Sequence, residues 1–130
     1  SIKVVIADDQ QIVRKGLASL FENTDIEIVA EAATGEEAVT QTLTHTPTVL
    51  LMDVMMPDTD GLDALEKLRE QSPQTKVVMM SAHDNPTYVA RSVALGADGF
   101  VLKDAAGDEI IAAVQRAQRG EEPPADSKLS

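Results

Sequence analysis

The chain has 130 residues, and its 22 Asp and Glu outnumber its 11 Lys and Arg to leave a formal net charge of −11. That length suits one domain with a core of its own, while the acidity argues against direct contact with a nucleic-acid backbone or an anionic membrane surface. With no cysteine and only 2% aromatic residues, disulfides, thiolate metal sites and cysteine nucleophiles are excluded, and the core must be aliphatic.

Ile2 to Ala7 is a short apolar run rich in β-branched residues and predicts a buried strand. After Asp8 and Asp9, the apolar positions Ile12, Val13, Leu17, Leu20 and Phe21 are read as one helical face. Ile26 to Ala30 alternates, as a strand with one more exposed face does. Thr34 followed three residues later by Glu37 forms a capping box, opening a helix with Ala38, Val39 and Leu43 that stops near Pro47. Thr48 to Asp53 reads as a central strand, and Pro57 and Gly61 mark a loop. Leu62, Leu65 and Leu68 begin a helix that ends by Ser72-Pro73, and Lys76 to Met80 is the next strand. Pro86 to Leu95 is a helix with Asn85 as N-cap and Gly96 as its stop. Gly99 to Leu102 is a short strand, and Asp108 to Arg119 a final helix ending at Gly120. No apolar run approaches the roughly 18 residues of a membrane span, and the N-terminus lacks a leader pattern, so a soluble, cytoplasmic protein is expected.

Five β–α units with short connections predict an α/β fold, a doubly wound parallel sheet covered on both faces. Residues 121–130 are polar and contain two prolines, and are read as a linker or frayed tail beyond a domain of residues 1–120.

Ligands of open α/β sheets sit beyond the carboxyl ends of the strands. Asp8 and Asp9 follow the first strand, Asp53 ends the third, Ser81 follows the fourth and Lys103 the fifth. Either acid of the first pair could simply cap a helix, but five such groups along one edge point to a site. Three clustered carboxylates need a counter-charge, and a hard divalent cation supplies it: Mg²⁺, or Mn²⁺ in its place. A phosphoryl group would use the Ser81 hydroxyl and the Lys103 ammonium, and Asp53 is the best-placed acceptor. His45 reads as a solvated helix end, while His83 and Met55 border the pocket; the other four methionines are core filler. There is no GxGxxG after the first strand, no GxxxxGK[ST] and no GxSxG, which argues against dinucleotide, P-loop and hydrolase-elbow chemistry.

Asp8-Asp9, Asp53-Val-Met-Met-Pro57 with Gly61, Ser81-Ala82 and Lys103 together resemble a response-regulator receiver domain of two-component signalling. Arg14-Lys15-Gly16-Leu17, the stretch from Val29 to Gly35 and that from Gly96 to Lys103 are similar to the NarL/FixJ branch, whose receivers control a LuxR-type helix-turn-helix output. The resemblance implies a flavodoxin- or CheY-like sheet of order 2-1-3-4-5. It implies that Asp53 accepts a phosphoryl group from a sensor histidine kinase, and that the protein is no enzyme beyond its own Mg²⁺-dependent phosphorylation and dephosphorylation. Asp9, Asp53 and the Met55 carbonyl would hold the metal, with Asp8 acting through water. Lys103 and Ser81 would bind the phosphoryl oxygens, and Phe100 would follow Ser81 as the switch aromatic. Partners would be the kinase, a second phosphorylated copy and, only through an output domain missing from these residues, DNA. Phe100 lacks the hydroxyl of the more usual Tyr, so its switching must be steric. Asp104 replaces the proline that often follows the lysine, which leaves the isomer of that bond open. A stand-alone receiver acting by protein contact is the alternative. A Mg²⁺-dependent phosphatase with an aspartyl-phosphate intermediate is a further one, although it would want Asp-x-Asp after the first strand and a cap.

Overall fold

Alternation along three buried strands divides the protein into two cores. Val4, Ile6, Val49, Leu51, Val78 and Met80 point to one side of the sheet, and Val5, Ala7, Leu50, Met52, Val77 and Met79 to the other. The computed structural model describes residues 1–58, 60–82 and 85–121. Five strands, β1 (Ile2–Ala7), β2 (Ile26–Ala32), β3 (Val49–Asp53), β4 (Lys76–Ser81) and β5 (Gly99–Leu102), pair in parallel in the order β2-β1-β3-β4-β5, as expected. The helices are α1 (Gln11–Leu20), α2 (Gly35–His45), α3 (Gly61–Gln71), α4 (Pro86–Ala94) and α5 (Gly107–Gln118). Leu17 and Phe21 from α1 and its end, with Ile110, Ala113, Val114 and Ala117 of α5, close the first face. Ala38 of α2 and Ala64, Leu65 and Leu68 of α3 close the second, joined by half-buried Tyr88 and Phe100. No helix among the described residues is long and apolar enough to cross a membrane.

The local signals act as chemistry requires. The Thr34 hydroxyl accepts from Glu37 N–H at 3.0 Å, while the Glu37 carboxylate reaches back to Ala33 N–H, one residue before the expected partner. Asn85 caps α4 by accepting from Thr87 N–H at 2.9 Å, and Gly96 follows that helix with a left-handed φ of +97°. His45 ends α2 in solvent. Met52, Met56, Met79 and Met80 are core residues, whereas Met55 is exposed.

Two expectations need correction. Ile12 is 80% exposed and does not share the buried face of α1. At roughly 100° per residue it lies roughly 125° from the mean direction of Val13, Leu17, Leu20 and Phe21, so it faces out. β2 also runs two residues beyond Ala30. Its register slips where Val4 pairs with Ile28 but Val5 with Ala30, and this bulge at Val29 carries the strand past the break in its alternation. The tail from residue 122 onward, including the linker reading, lies outside the described residues.

Candidate functional site

Sheet register assembles the site. Ala7 pairs with Met52, Asp53 with Met80, and Ser81 with Leu102, so the residues ending β1, β3, β4 and β5 stand in one row. The ladder continues past the strand ends. Asp8 N–H donates to the Ala32 carbonyl at 2.9 Å, Val54 N–H to that of Met80 at 2.8 Å, and Lys103 N–H to that of Ser81 at 2.8 Å. The backbone that carries each polar side chain is therefore as fixed as the sheet itself.

At the centre, Lys103 Nζ lies 2.7 Å from Asp8 Oδ2 and 2.8 Å from Asp53 Oδ2. The other oxygen of each acid accepts a backbone N–H two residues on: Gln10 at 2.9 Å for Asp8, and Met55 at 3.1 Å for Asp53. Asp8 is fully buried and Asp53 nearly so, while Asp9 is exposed at the tip of the β1–α1 loop. Neither acid of that pair is the N-cap of α1, a position held by Gln10 with no side-chain bond. Burial pushes the Asp53 carboxyl above its ordinary range, with the nearby Asp8 adding to it, and the Lys103 ammonium and the Met55 amide only partly offset this. Burial pulls Lys103 down, but its hydrogen bonds to Asp53 and Asp8 outweigh that, so it stays protonated more firmly than a free lysine.

Oxygen atoms of Asp8, Asp9 and Asp53 all lie within 4.8 Å of one another. Three carboxylates against one ammonium leave uncompensated negative charge, and an all-oxygen donor set suits Mg²⁺ or Mn²⁺ rather than a softer metal. The residues present fit such an ion.

Ser81 is buried at the end of β4, on the edge that carries the acids. Phe100 pairs with Met79 on β5 and is half-buried on the α2–α3 side of the sheet. Met55, two residues past Asp53, is 59% exposed, and its Sδ accepts from the Tyr88 hydroxyl of α4 at 3.6 Å. His83 lies outside the described residues. No cis peptide bond occurs among the described residues, so the Lys103–Asp104 bond is trans. Gly61 opens α3 against the phosphoacceptor candidate's own backbone: a Cβ there would stand 2.6 Å from the Val54 carbonyl oxygen and 2.7 Å from that of Asp53.

Sequence reasoning missed two supporting residues. Asp58 accepts from Gly35 N–H at 2.8 Å and Glu36 N–H at 3.1 Å, tying the β3–α3 loop to the start of α2. Arg14, noticed in the sequence only as part of a branch-like stretch, bonds the Asp8 carbonyl and Glu31. No local pattern marks either, because their partners are fixed by topology.

The family model described as "Response regulator receiver domain" matches residues 4–115. The chain is 38% identical over 122 residues to the oxygen regulatory protein NreC of Staphylococcus haemolyticus, covering 92% of this chain and 56% of that protein. It is 37% identical to the response regulator protein VraR of Staphylococcus aureus, covering 93% of this chain and 58% of that protein. The chain thus spans little more than half the length of these relatives. Among solved structures, the signal receiver domain of the response regulator NarL from Mycobacterium tuberculosis superposes with a TM-score of 0.88 at 34% identity, covering 93% of this chain and 98% of that one. A DNA-binding response regulator of the LuxR family from Staphylococcus aureus superposes with a TM-score of 0.84 at 26% identity, covering 91% and 99%.

Proposed function

The chain belongs to the response regulator receiver family, and from that premise we propose that it is a phosphorylation-activated switch whose acceptor is Asp53. The observation that carries this is the placement of Asp53, buried at the end of the central strand with its carboxylate shared with Lys103 and opposed by Asp8. A carboxylate oxygen of Asp53 attacks the phosphorus of a phosphohistidine on a sensor histidine kinase, and the imidazole leaves with the P–N electron pair. Asp9, Asp53 and the Met55 carbonyl would hold Mg²⁺, with Asp8 acting through water, and the bound ion would supply charge neutralisation for the transferring phosphoryl group. Lys103 then pairs with a phosphoryl oxygen in place of the free carboxylate. The Ser81 hydroxyl donates to another, and its inward movement leaves space that the Phe100 ring follows. That displacement of Ser81 and Phe100, with α4 between them in the chain, is the signal. It is read by a second copy of the protein and by a DNA-binding output beyond the receiver unit of residues 1–120, with residues 121–130 beginning the linker. The cytoplasm, where such kinases present their phosphohistidine, is the proposed compartment.

Incubation with acetyl phosphate and Mg²⁺ should add one phosphoryl group, detected by intact mass. Asp53→Asn should gain none, and normal labelling of that variant would refute the assignment.

A further inference from the structure

The proposed chemistry leaves Arg14 without a task, although this side chain, only 15% exposed, reaches the site's backbone. It occupies the fourth position of α1, just beyond the loop that carries Asp8 and Asp9. Its Nη1 donates to the Asp8 carbonyl oxygen at 2.6 Å, and its Nε donates to Glu31 Oε1 at 2.9 Å. Both N–H groups belong to one rigid plane, so anchoring one at Glu31 fixes the direction of the other. Glu31 in turn is set by the pairing of β2 with β1, opposite Ile6.

The Asp8 carbonyl is part of the planar peptide unit that joins Asp8 to Asp9. Holding its oxygen orients that plane, and with it the direction in which the Asp9 side chain leaves the loop. The Asp8 carboxylate is already fixed by Gln10 N–H and by Lys103. Asp9, exposed at the loop tip, depends on its backbone for aim.

We propose that Arg14 is a positioning residue for cation capture, a strut between Glu31 and the Asp8 carbonyl that turns Asp9 toward the point Asp8 and Asp53 share. This rests on the reading that those three carboxylates hold Mg²⁺. The sign of the effect separates a strut from a mere neighbouring charge. A guanidinium close to a cation site repels the cation, so removing it on electrostatic grounds alone tightens binding. Losing a strut weakens binding despite the relieved repulsion.

The test is calorimetric titration of Mg²⁺ into the full chain and into Asp9→Asn, Arg14→Met, Arg14→Lys and Glu31→Gln. The expected result is one site in the parent chain, lost in Asp9→Asn and about tenfold weaker in Arg14→Met, the scale of lost outer-shell support. Arg14→Lys should also weaken it, since a single ammonium keeps the charge but not the planar fork. Glu31→Gln, which leaves Arg14 in place, should weaken it less, and it carries the test if Arg14→Met does not fold. Amide exchange at Asp9 and Gln10 should quicken in metal-free Arg14→Met while the β1 and β3 amides stay protected. Binding by Arg14→Met that is tighter than, or within about twofold of, the parent chain, with Asp9→Asn still inactive in binding, overturns the strut and leaves the cation reading standing. If the parent chain takes up no Mg²⁺, or Asp9→Asn binds as the parent does, the cation reading fails and the strut fails with it.

Discussion

Lys103 divides one ammonium between two buried acids, and that shared charge only partly offsets the burial that raises the Asp53 carboxyl. The folded-state pKa of Asp53 is raised above 3.8, so between that value and the raised one the native state holds a proton that the unfolded chain has released. Stability therefore falls as pH rises through this window. Lys103 is raised above 10.5, so the stability it contributes is complete below that value and is lost as pH rises further. In EDTA, urea unfolding should show the parent chain losing stability relative to Asp53→Asn as pH climbs from about 4 through the raised carboxyl range. A difference that stays flat across that range would mean that Asp53 ionises as freely in the fold as in the unfolded chain. Asp53 and Lys103 were both legible in the sequence, because strand ends in a parallel sheet converge on one edge whatever the side chains are.

At the scale of elements, the least legible feature is the tie between the β3–α3 loop and α2. Asp58 closes two orphan amides of α2, Thr34 closes a third, and the Thr34 carbonyl takes Ala38 N–H. The Thr34 cap was readable from its spacing to Glu37. The Asp58 bonds were not, because 23 and 22 residues separate the partners and only the packing of α2 beside α3 joins them. Ile12 was misplaced for a related reason: an apolar residue at the start of a helix counts toward a pattern until its angle is measured. Asp58→Ala should cost about 1 kcal/mol in urea unfolding, the usual loss for a helix cap. It should also loosen the loop bearing Met55, seen as faster amide exchange at residues 54–56. Gly61→Ala is the harsher change, since its Cβ meets backbone carbonyls of Val54 and Asp53 that cannot swing away. It should lower the melting temperature more than Asp58→Ala does, and an equal or smaller loss would mean that the strand end yields.

For the molecule as a whole, the proposed cation site of Asp8, Asp9 and Asp53 would couple folding to cation supply. Mg²⁺ at a hundredfold over its Kd should stabilise the fold by about 2.7 kcal/mol, with a smaller rise in melting temperature in Asp9→Ala. An equal rise in that variant would locate the ion elsewhere. Transmission is a separate property. Sedimentation with beryllofluoride should show a gain in mass that Ser81→Ala weakens, and unchanged mass with unchanged exchange across residues 82–103 would describe a domain that binds phosphate without passing the news on. The overall sheet order and its two aliphatic cores were legible because buried strands alternate and crossovers are right-handed. That aliphatic core has an optical corollary. The chain has no tryptophan and one tyrosine, and Tyr88 rests its hydroxyl on Met55, two residues past the proposed acceptor. Any near-ultraviolet emission excited at tyrosine wavelengths thus comes from this single ring, whose hydroxyl touches the residue two positions past Asp53.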